Sequence, residues 1–148
     1  ICTRALLLPK LMAGLPPPPW ARRSRKNRPP RMTATAMPIS AGRPALVTVR
    51  WRADGPTARS LKVSLRLRGA DGATLAQDDR LLLNDRHLRT TAWQPGDSAL
   101  AVYTLALPPE PGSYSLTLVL YDEETLAAVG LRDGSGVEPE LGSLSAEP

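Results

Sequence analysis

The stretch TTAWQPGDSALAVYTLALPPEPGSYSLTLVLYD, residues 90–122, decides the fold of this 148-residue chain. It holds two apolar runs, and proline- and glycine-rich turns mark their starts at Trp93–Asp97 and Pro108–Gly112. In each run apolar residues alternate with others, which is typical of a β-strand with one buried face. Burying a leucine contributes about 1.5–3 kcal/mol before the entropy cost, so these two strands are expected to dominate the core. The same alternation predicts that Tyr103 and Tyr114 point inward.

Further strands are predicted on both sides of this pair. Ala45–Arg52 and Leu61–Arg68 alternate strictly, and Gly69–Gly72 predicts a hairpin turn. Asp78–Arg89 could hold a strand or a short helical turn. Turn signals recur about every 8–12 residues without a helical period, which predicts an all-β fold. We expect an antiparallel, immunoglobulin-like β-sandwich of about seven strands, including short ones at Ala73–Gln77, Thr125–Leu131 and Leu141–Ala146.

Charge divides the chain into two parts. Residues 1–31 carry eight Lys or Arg and no acid, whereas residues 32–148 carry 11 basic and 14 acidic residues. We therefore predict a disordered, basic, proline-rich tail or linker at 1–31 and a β-sandwich domain at 32–148. The mild acidity of the domain argues against nucleic-acid binding by its folded part. A single cysteine, Cys2, excludes an intrachain disulfide.

The tail allows several functions. The apolar run Ala5–Leu15 is shorter than the roughly 20 residues of a membrane-spanning helix. The prolines and basic cluster that follow it are not the pattern of a signal peptide. Pro16–Pro19 and Trp20 favour a polyproline II spacer over a ligand for a proline-recognition domain. The cluster Arg22–Arg31 could bind an anionic surface, lipid or nucleic acid, or it could be a solvated linker.

No catalytic motif is present. A pair of His87 and Asp85 could activate Ser98 or Ser113, but nothing in the sequence brings them together. A Gly-x-Ser-x-Gly elbow and a glycine-rich phosphate loop are both absent. The sequence therefore predicts that the domain is not an enzyme and uses no cofactor.

Carboxylates and aromatic residues supply the remaining candidate sites. Asp78, Asp79 and Asp85 carry oxygens of the kind that Ca²⁺ prefers, but their spacing is not that of an EF-hand, and no metal site is predicted. The run 122–124 is predicted to be a turn. Trp93, which precedes a turn, and Tyr121, on the face opposite Tyr114, are the candidate sugar contacts. Trp51 is expected to point inward, as are Tyr103 and Tyr114.

The order of these features resembles the terminal module of bacterial multi-spanning membrane glycosyltransferases of the protein-mannosyltransferase-like class, notably those of Chloroflexi-type genomes. The resemblance covers residues 32–148 and implies an immunoglobulin-like sandwich outside a membrane, attached to a transferase. It does not imply that the domain catalyses a reaction. The matching motifs are Val49–Trp51, Val63–Leu67, Asp71–Gly72, Leu75–Asp79, Trp93–Asp97, Tyr103–Pro108, Pro111–Tyr114, Leu120–Asp122 and Leu141–Gly142, together with Gly42.

Three functions follow as hypotheses. The first is a non-catalytic, extracytoplasmic accessory domain of the cell envelope that positions or contacts other domains of a membrane glycosyltransferase. The second is a carbohydrate-binding module that uses Trp93 and Tyr121 to contact a glycan. The third is an adaptor whose tail, residues 1–31, binds anionic lipid or nucleic acid. The basic tail would favour the cytoplasmic side of a membrane, which conflicts with an outside domain unless the tail is a linker.

Overall fold

The computed structural model describes residues 30–36, 39–131 and 136–148. These residues form nine β-strands and one short 3-10 turn at Thr90–Ala92, and seven of the strands are six residues or longer. The strands are β1 (Arg31–Ala36), β2 (Ile39–Ser40), β3 (Pro44–Arg52), β4 (Leu61–Arg68), β5 (Thr74–Leu81), β6 (Ser98–Ala106), β7 (Gly112–Asp122), β8 (Ala128–Val129) and β9 (Glu140–Glu147).

The strands form two sheets. The three-stranded sheet has the order β1-β3-β6, and the six-stranded sheet has the order β2-β9-β7-β4-β5 with β8 beside β7. Every pairing is antiparallel except the two-residue pairing of β2 with β9. The long strands match the lettered strands of immunoglobulin-like sandwiches. In that scheme β1, β3 and β6 correspond to A, B and E and share one sheet, and β4, β7 and β9 correspond to C, F and G and share the other. The predicted all-β antiparallel sandwich is confirmed.

The core lies between the two sheets and follows the predicted alternation. In β4 every second residue, from Leu61 to Leu67, is buried, and β7 contributes Leu116, Leu118 and Leu120. The three-stranded sheet faces them with the buried residues Ala45, Val47, Val49, Trp51, Ala99, Tyr103 and Leu105. The two strands of the 90–122 stretch thus lie in different sheets, and each supplies a central part of the core.

Tyr114 fixes the corner where the chain passes from one sheet to the other. Its hydroxyl donates to the carbonyl oxygen of Glu110 at 2.6 Å, and its ring packs against the core. A tyrosine near the start of strand F that bonds to backbone a few residues upstream is a recurrent feature of this class of sandwich. The predicted inward positions of Trp51, Tyr103 and Tyr114 are confirmed.

The strand predictions need correction at four places. The strand predicted at Ala73–Gln77, β5, continues to Leu81, and β1 and β2 were not predicted. The strand predicted at Thr125–Leu131 is reduced to Ala128–Val129. It is short because the buried Asp122 carboxylate accepts the backbone N–H groups of Glu124 and Thr125 and so holds the chain in a turn. The predicted turn at 122–124 is confirmed.

The predictions for Cys2, the proline run and the basic cluster fall on residues outside the described part, apart from the end of that cluster. Arg31, the last residue of that cluster, is the first residue of β1. No helix among the described residues has the length and hydropathy to span a membrane.

Candidate functional site

Trp93 is a core residue, so its prediction as a sugar contact is corrected. Its side chain is fully buried, and its indole N–H donates to the carbonyl oxygen of Leu88 at 2.9 Å. The turn after it is tied to the end of β3, because Gly96 N–H donates to the Ala53 carbonyl and Ala53 N–H donates to the Asp97 carbonyl. With the turn held in this position the indole ring is buried beneath it, and neither face of the ring is accessible to a ligand.

Asp97 holds this end of the sandwich together. One carboxylate oxygen accepts from the Asn84 side chain (3.0 Å), the Arg86 guanidinium (2.7 Å) and the Gln94 backbone N–H (2.8 Å). The Gln94 hydrogen bond, followed by that of Arg86, lowers the pKa of the Asp97 carboxyl. The network joins the loop after β5 to the turn before β6 and has a structural role.

Asp85 and Ser98 do lie together, but His87 is not between them. The Ser98 hydroxyl donates to one Asp85 oxygen at 2.7 Å, and the Leu100 backbone N–H donates to the other at 3.2 Å. A serine that donates directly to a carboxylate lacks the imidazole base that a nucleophile of this type needs. Ser113 lies in β7, paired with Ser145 of β9. The pair of Asp85 and Ser98 instead covers part of the free edge of β6.

Asp78 covers a second part of the same edge. Its carboxylate accepts the Thr104 backbone N–H at 2.9 Å and three hydrogen bonds from the Nε and Nη2 atoms of Arg80. Partial burial raises the pKa of Asp78, but the bonds from Arg80 and Thr104 outweigh this, so the net shift is downward. The Arg80 guanidinium also lies 5.6 Å from the centroid of the buried Tyr103 ring. This pair closes the side of the sandwich between β5 and β6.

The three aspartates considered for calcium therefore point in different directions. Asp79 alternates with Asp78 on β5, and its carboxylate accepts from Gln77 at 3.3 Å on the outer face. Within residues 30–36, 39–131 and 136–148, no three His, Cys, Asp or Glu side chains are grouped so that they could hold a metal ion.

Tyr121 lies where its prediction requires, on the outer face of the six-stranded sheet. It lines a shallow groove with a volume of about 410 Å³. Lys62, its antiparallel partner on β4, places its ammonium 5.9 Å from the centroid of the ring. The groove offers one aromatic ring, apolar side chains and several polar groups; its lining is Ser64, Arg66, Asp79, Val119, Tyr121, Leu126, Ala128, Val137 and Glu138.

Glu138 binds both arginines on this face. It accepts hydrogen bonds from Arg66 (3.3 Å), Arg68 (3.1 Å from Nε) and the Thr117 hydroxyl (2.9 Å). Partial burial raises its pKa, but the bonds from Arg68 and Thr117 and the two positive charges outweigh this, so the pKa of Glu138 is lowered. The segment that carries Glu138 therefore lies over the sheet and covers part of it.

The outer face of the three-stranded sheet is different, and sequence reasoning missed it. Leu46, Leu100 and Val102 are 49%, 52% and 44% exposed. Leu46 of β3 lies opposite Thr104 of β6, which is two residues from Val102, so Leu46 and Val102 are diagonal neighbours on adjacent strands. Leu100 follows two residues further along β6 on the same face. We call this surface the open face; its described side chains are those of Pro44, Leu46, Thr48, Arg50, Arg52, Ser98, Leu100, Val102, Thr104 and Ala106. The signal was visible in the sequence, because outward positions of β3 and β6 hold large apolar residues.

Arg50 and Arg52 stand on the open face without an ion-pair partner among the described residues. Arg50 lies opposite Leu100, and both side chains are exposed. Since Asp78 and Asp85 bind the free amides of Thr104 and Leu100, the β6 edge of this sheet is partly closed to an added strand while its face stays accessible.

No protein-family model matches the chain, and no curated protein matches its sequence. Among solved structures, the chain is similar to the CARDB domain of a protein from Pyrococcus furiosus, which was crystallised in complex with di-metal ions. The TM-score is 0.47 at 16% sequence identity, and the match covers 80% of this chain and 94% of that one.

Proposed function

We propose that this chain is a non-catalytic accessory domain that makes a protein contact through its open face. The observation that carries the proposal is the exposure of Leu46, Leu100 and Val102 together on one rigid sheet. Antiparallel sheets with one solvated face ordinarily keep that face polar. Contiguous apolar side chains on such a surface mark interaction sites more often than single ones do.

The setting that we propose is the extracytoplasmic side of a cell envelope, next to a membrane glycosyltransferase. The support is the order of motifs in residues 32–148, from Val49–Trp51 to the Leu141–Gly142 pair. In that setting the sandwich holds or spaces the transferase's other domains, and no reaction takes place on it.

Site-specific photo-crosslinking in the native host tests the contact. A photoreactive phenylalanine at Val102 on the open face should give a discrete crosslinked protein product. The same residue at Gln77, exposed on the outer side of β5, is the matched control and should give none. Equal crosslinking from both positions, or none from Val102, would contradict the proposed contact.

The setting has its own test. Genomic sequence upstream of the Ile1 codon should encode membrane spans in the same reading frame, and an alkaline phosphatase fusion after Pro148 should be active. An upstream region without spans, together with an inactive fusion, would count against the envelope setting and leave the contact proposal in place.

A second candidate function is glycan binding in the groove at Tyr121. Sugars stack on aromatic rings and hydrogen-bond to planar polar groups, and the groove combines Tyr121 with Asp79 and Glu138. Titration with a panel of soluble oligosaccharides should give saturable binding that Tyr121→Ala abolishes. The control Val102→Thr, on the other sheet, should bind normally. Saturable binding that survives Tyr121→Ala would place the sugar elsewhere.

A further inference from the structure

We infer that the open face recognises an acidic protein surface with an apolar centre, an inference that rests on the proposed protein contact. Its apolar stripe of Leu46, Leu100 and Val102 runs beside Arg50 and Arg52, which both keep their charge unpaired within the described residues. A partner that buries the stripe must also meet these two guanidinium groups, and carboxylates do so at the lowest desolvation cost.

The described side chains of the open face are basic, whereas the domain as a whole has an excess of acidic residues. Residues 32–148 carry 11 basic and 14 acidic residues, yet the β3 and β6 positions of the open face include two arginines and no acid. On the other outer face, Arg66 and Arg68 are both bound by Glu138. Among the described side chains, the arginines of that face are therefore bound within the chain, whereas Arg50 and Arg52 of the open face are not.

Other occupants fit less well. A second copy docked symmetrically through the same face would bring arginines against arginines, since a twofold interface apposes one patch with itself. An added strand at the β6 edge would compete with Asp78 and Asp85, which already bind the Thr104 and Leu100 amides. An anionic lipid surface offers charge but no fixed apolar centre for a flat stripe, and the described side chains of the open face offer it two arginines.

A pair of soluble peptide probes tests the acidity of the partner. In one, leucine alternates with glutamate between acidic ends; in the other, lysine replaces every glutamate. We expect the glutamate peptide alone to shift the amide NMR signals of β3 and β6 in the ¹⁵N-labelled full chain, and to bind several-fold more weakly as salt rises from about 50 to 300 mM.

Charge-reversal variants locate the contact. Arg50→Glu combined with Arg52→Glu should weaken the glutamate peptide by about tenfold or more, since complementary charges become like charges. Lys62→Glu makes the same kind of reversal on the other sheet and should change binding by less than about twofold. Amide spectra of all variants confirm that they remain folded.

The outcomes separate this inference from the proposed function. Equal binding of both peptides, no binding of either, or stronger binding to vesicles containing phosphatidylserine would overturn the acidic-protein inference. If Leu46→Thr with Leu100→Thr abolishes the cellular crosslink from position 102 while the arginine variants keep it, the contact function stands and the inference about acidity fails. Loss of the crosslink in both sets supports the two together.

Discussion

The two sheets of the sandwich bury matching apolar faces against each other, but their outer faces differ. On the six-stranded sheet, Glu138 binds Arg66 and Arg68, and Val119 is only 8% exposed although it points outward. On the three-stranded sheet, Val102 is 44% exposed and Arg50 has no ion-pair partner among the described residues. The described residues cover much of one outer face and leave the other exposed.

Because of this difference, the two outer faces are expected to contribute differently to the stability of the fold and to the binding of a partner. Side chains that the chain covers contribute to folding, because their burial and pairing are absent from the unfolded state. Side chains that remain exposed contribute little until another molecule covers them. The same residue types, valine and arginine, should therefore respond differently to substitution on the two faces.

The largest expected effect is at Glu138. Glu138→Ala leaves Arg66 and Arg68, both largely buried by neighbours, without their carboxylate, and should lower the free energy of unfolding by about 2–3 kcal/mol. Glu140→Ala is the matched control, because Glu140 accepts a single 3.3 Å bond from Ser115, and should cost under about 0.5 kcal/mol. Urea unfolding followed by tryptophan fluorescence measures both; equal losses would mean that Glu138 does not hold its segment on the sheet.

The next largest effect on stability is expected at a valine of the covered face, Val119, when it is compared with a valine of the open face, Val102. Val119→Ala removes two buried methyl groups and should lower the free energy of unfolding by about 1.5–2 kcal/mol. Val102→Ala removes the same groups from the open face and should change it by less than about 0.5 kcal/mol. Thermal unfolding of both variants checks this comparison. A large loss for Val102→Ala would show that the open face is covered within the chain.

Much of the sandwich could be predicted because its central strands alternate strictly. The bounds of β4 agree with the prediction at both ends, and those of β3 differ by one residue. In β5 the prediction was too short, since Asp78 and Arg80 occupy inward positions at the sheet edge and break the apolar pattern. Their role depends on β6, which lies more than twenty residues away along the chain, so no local pattern could reveal it.

The candidate sites depended even more on long-range pairing. Trp93 stood beside a turn and looked exposed, but the bonds between that turn and Ala53 bury it. Glu138 lies 70 residues from Arg68, and only the folded sheet brings them together. Tyr121 could be placed correctly, because its position relative to Tyr114 needs only the alternation of one strand.

Low pH should reduce the contribution of Glu138, on the covered face, to the free energy of unfolding. The pKa of Glu138 is lowered from about 4.5 in the folded state, so its contribution is present above pH 4.5 and is lost as the pH falls through the folded value. The stability gap between the unmodified protein and Glu138→Ala should be constant from pH 7 to about 5.5 and should narrow as the pH falls below 4.5. Urea titrations at a series of pH values measure the gap; the other carboxylates titrate in both proteins and cancel. A gap that stays constant to pH 3 would show that the Glu138 charge contributes nothing.

The smallest expected effect is at Arg50, and it gives a stringent test of the comparison. Arg50→Gln removes a charge that pairs with no described residue, so the free energy of unfolding should change by less than about 0.5 kcal/mol. Arg68→Gln is the matched change on the covered face, where the guanidinium also donates to Thr74 and the Gly72 carbonyl, and should cost about 1 kcal/mol. Chemical unfolding at low and high salt measures both variants. A salt-dependent loss for Arg50→Gln as large as that for Arg68→Gln would mean that Arg50 is engaged within this chain, and the open face would then be part of the fold and not a surface kept for a partner.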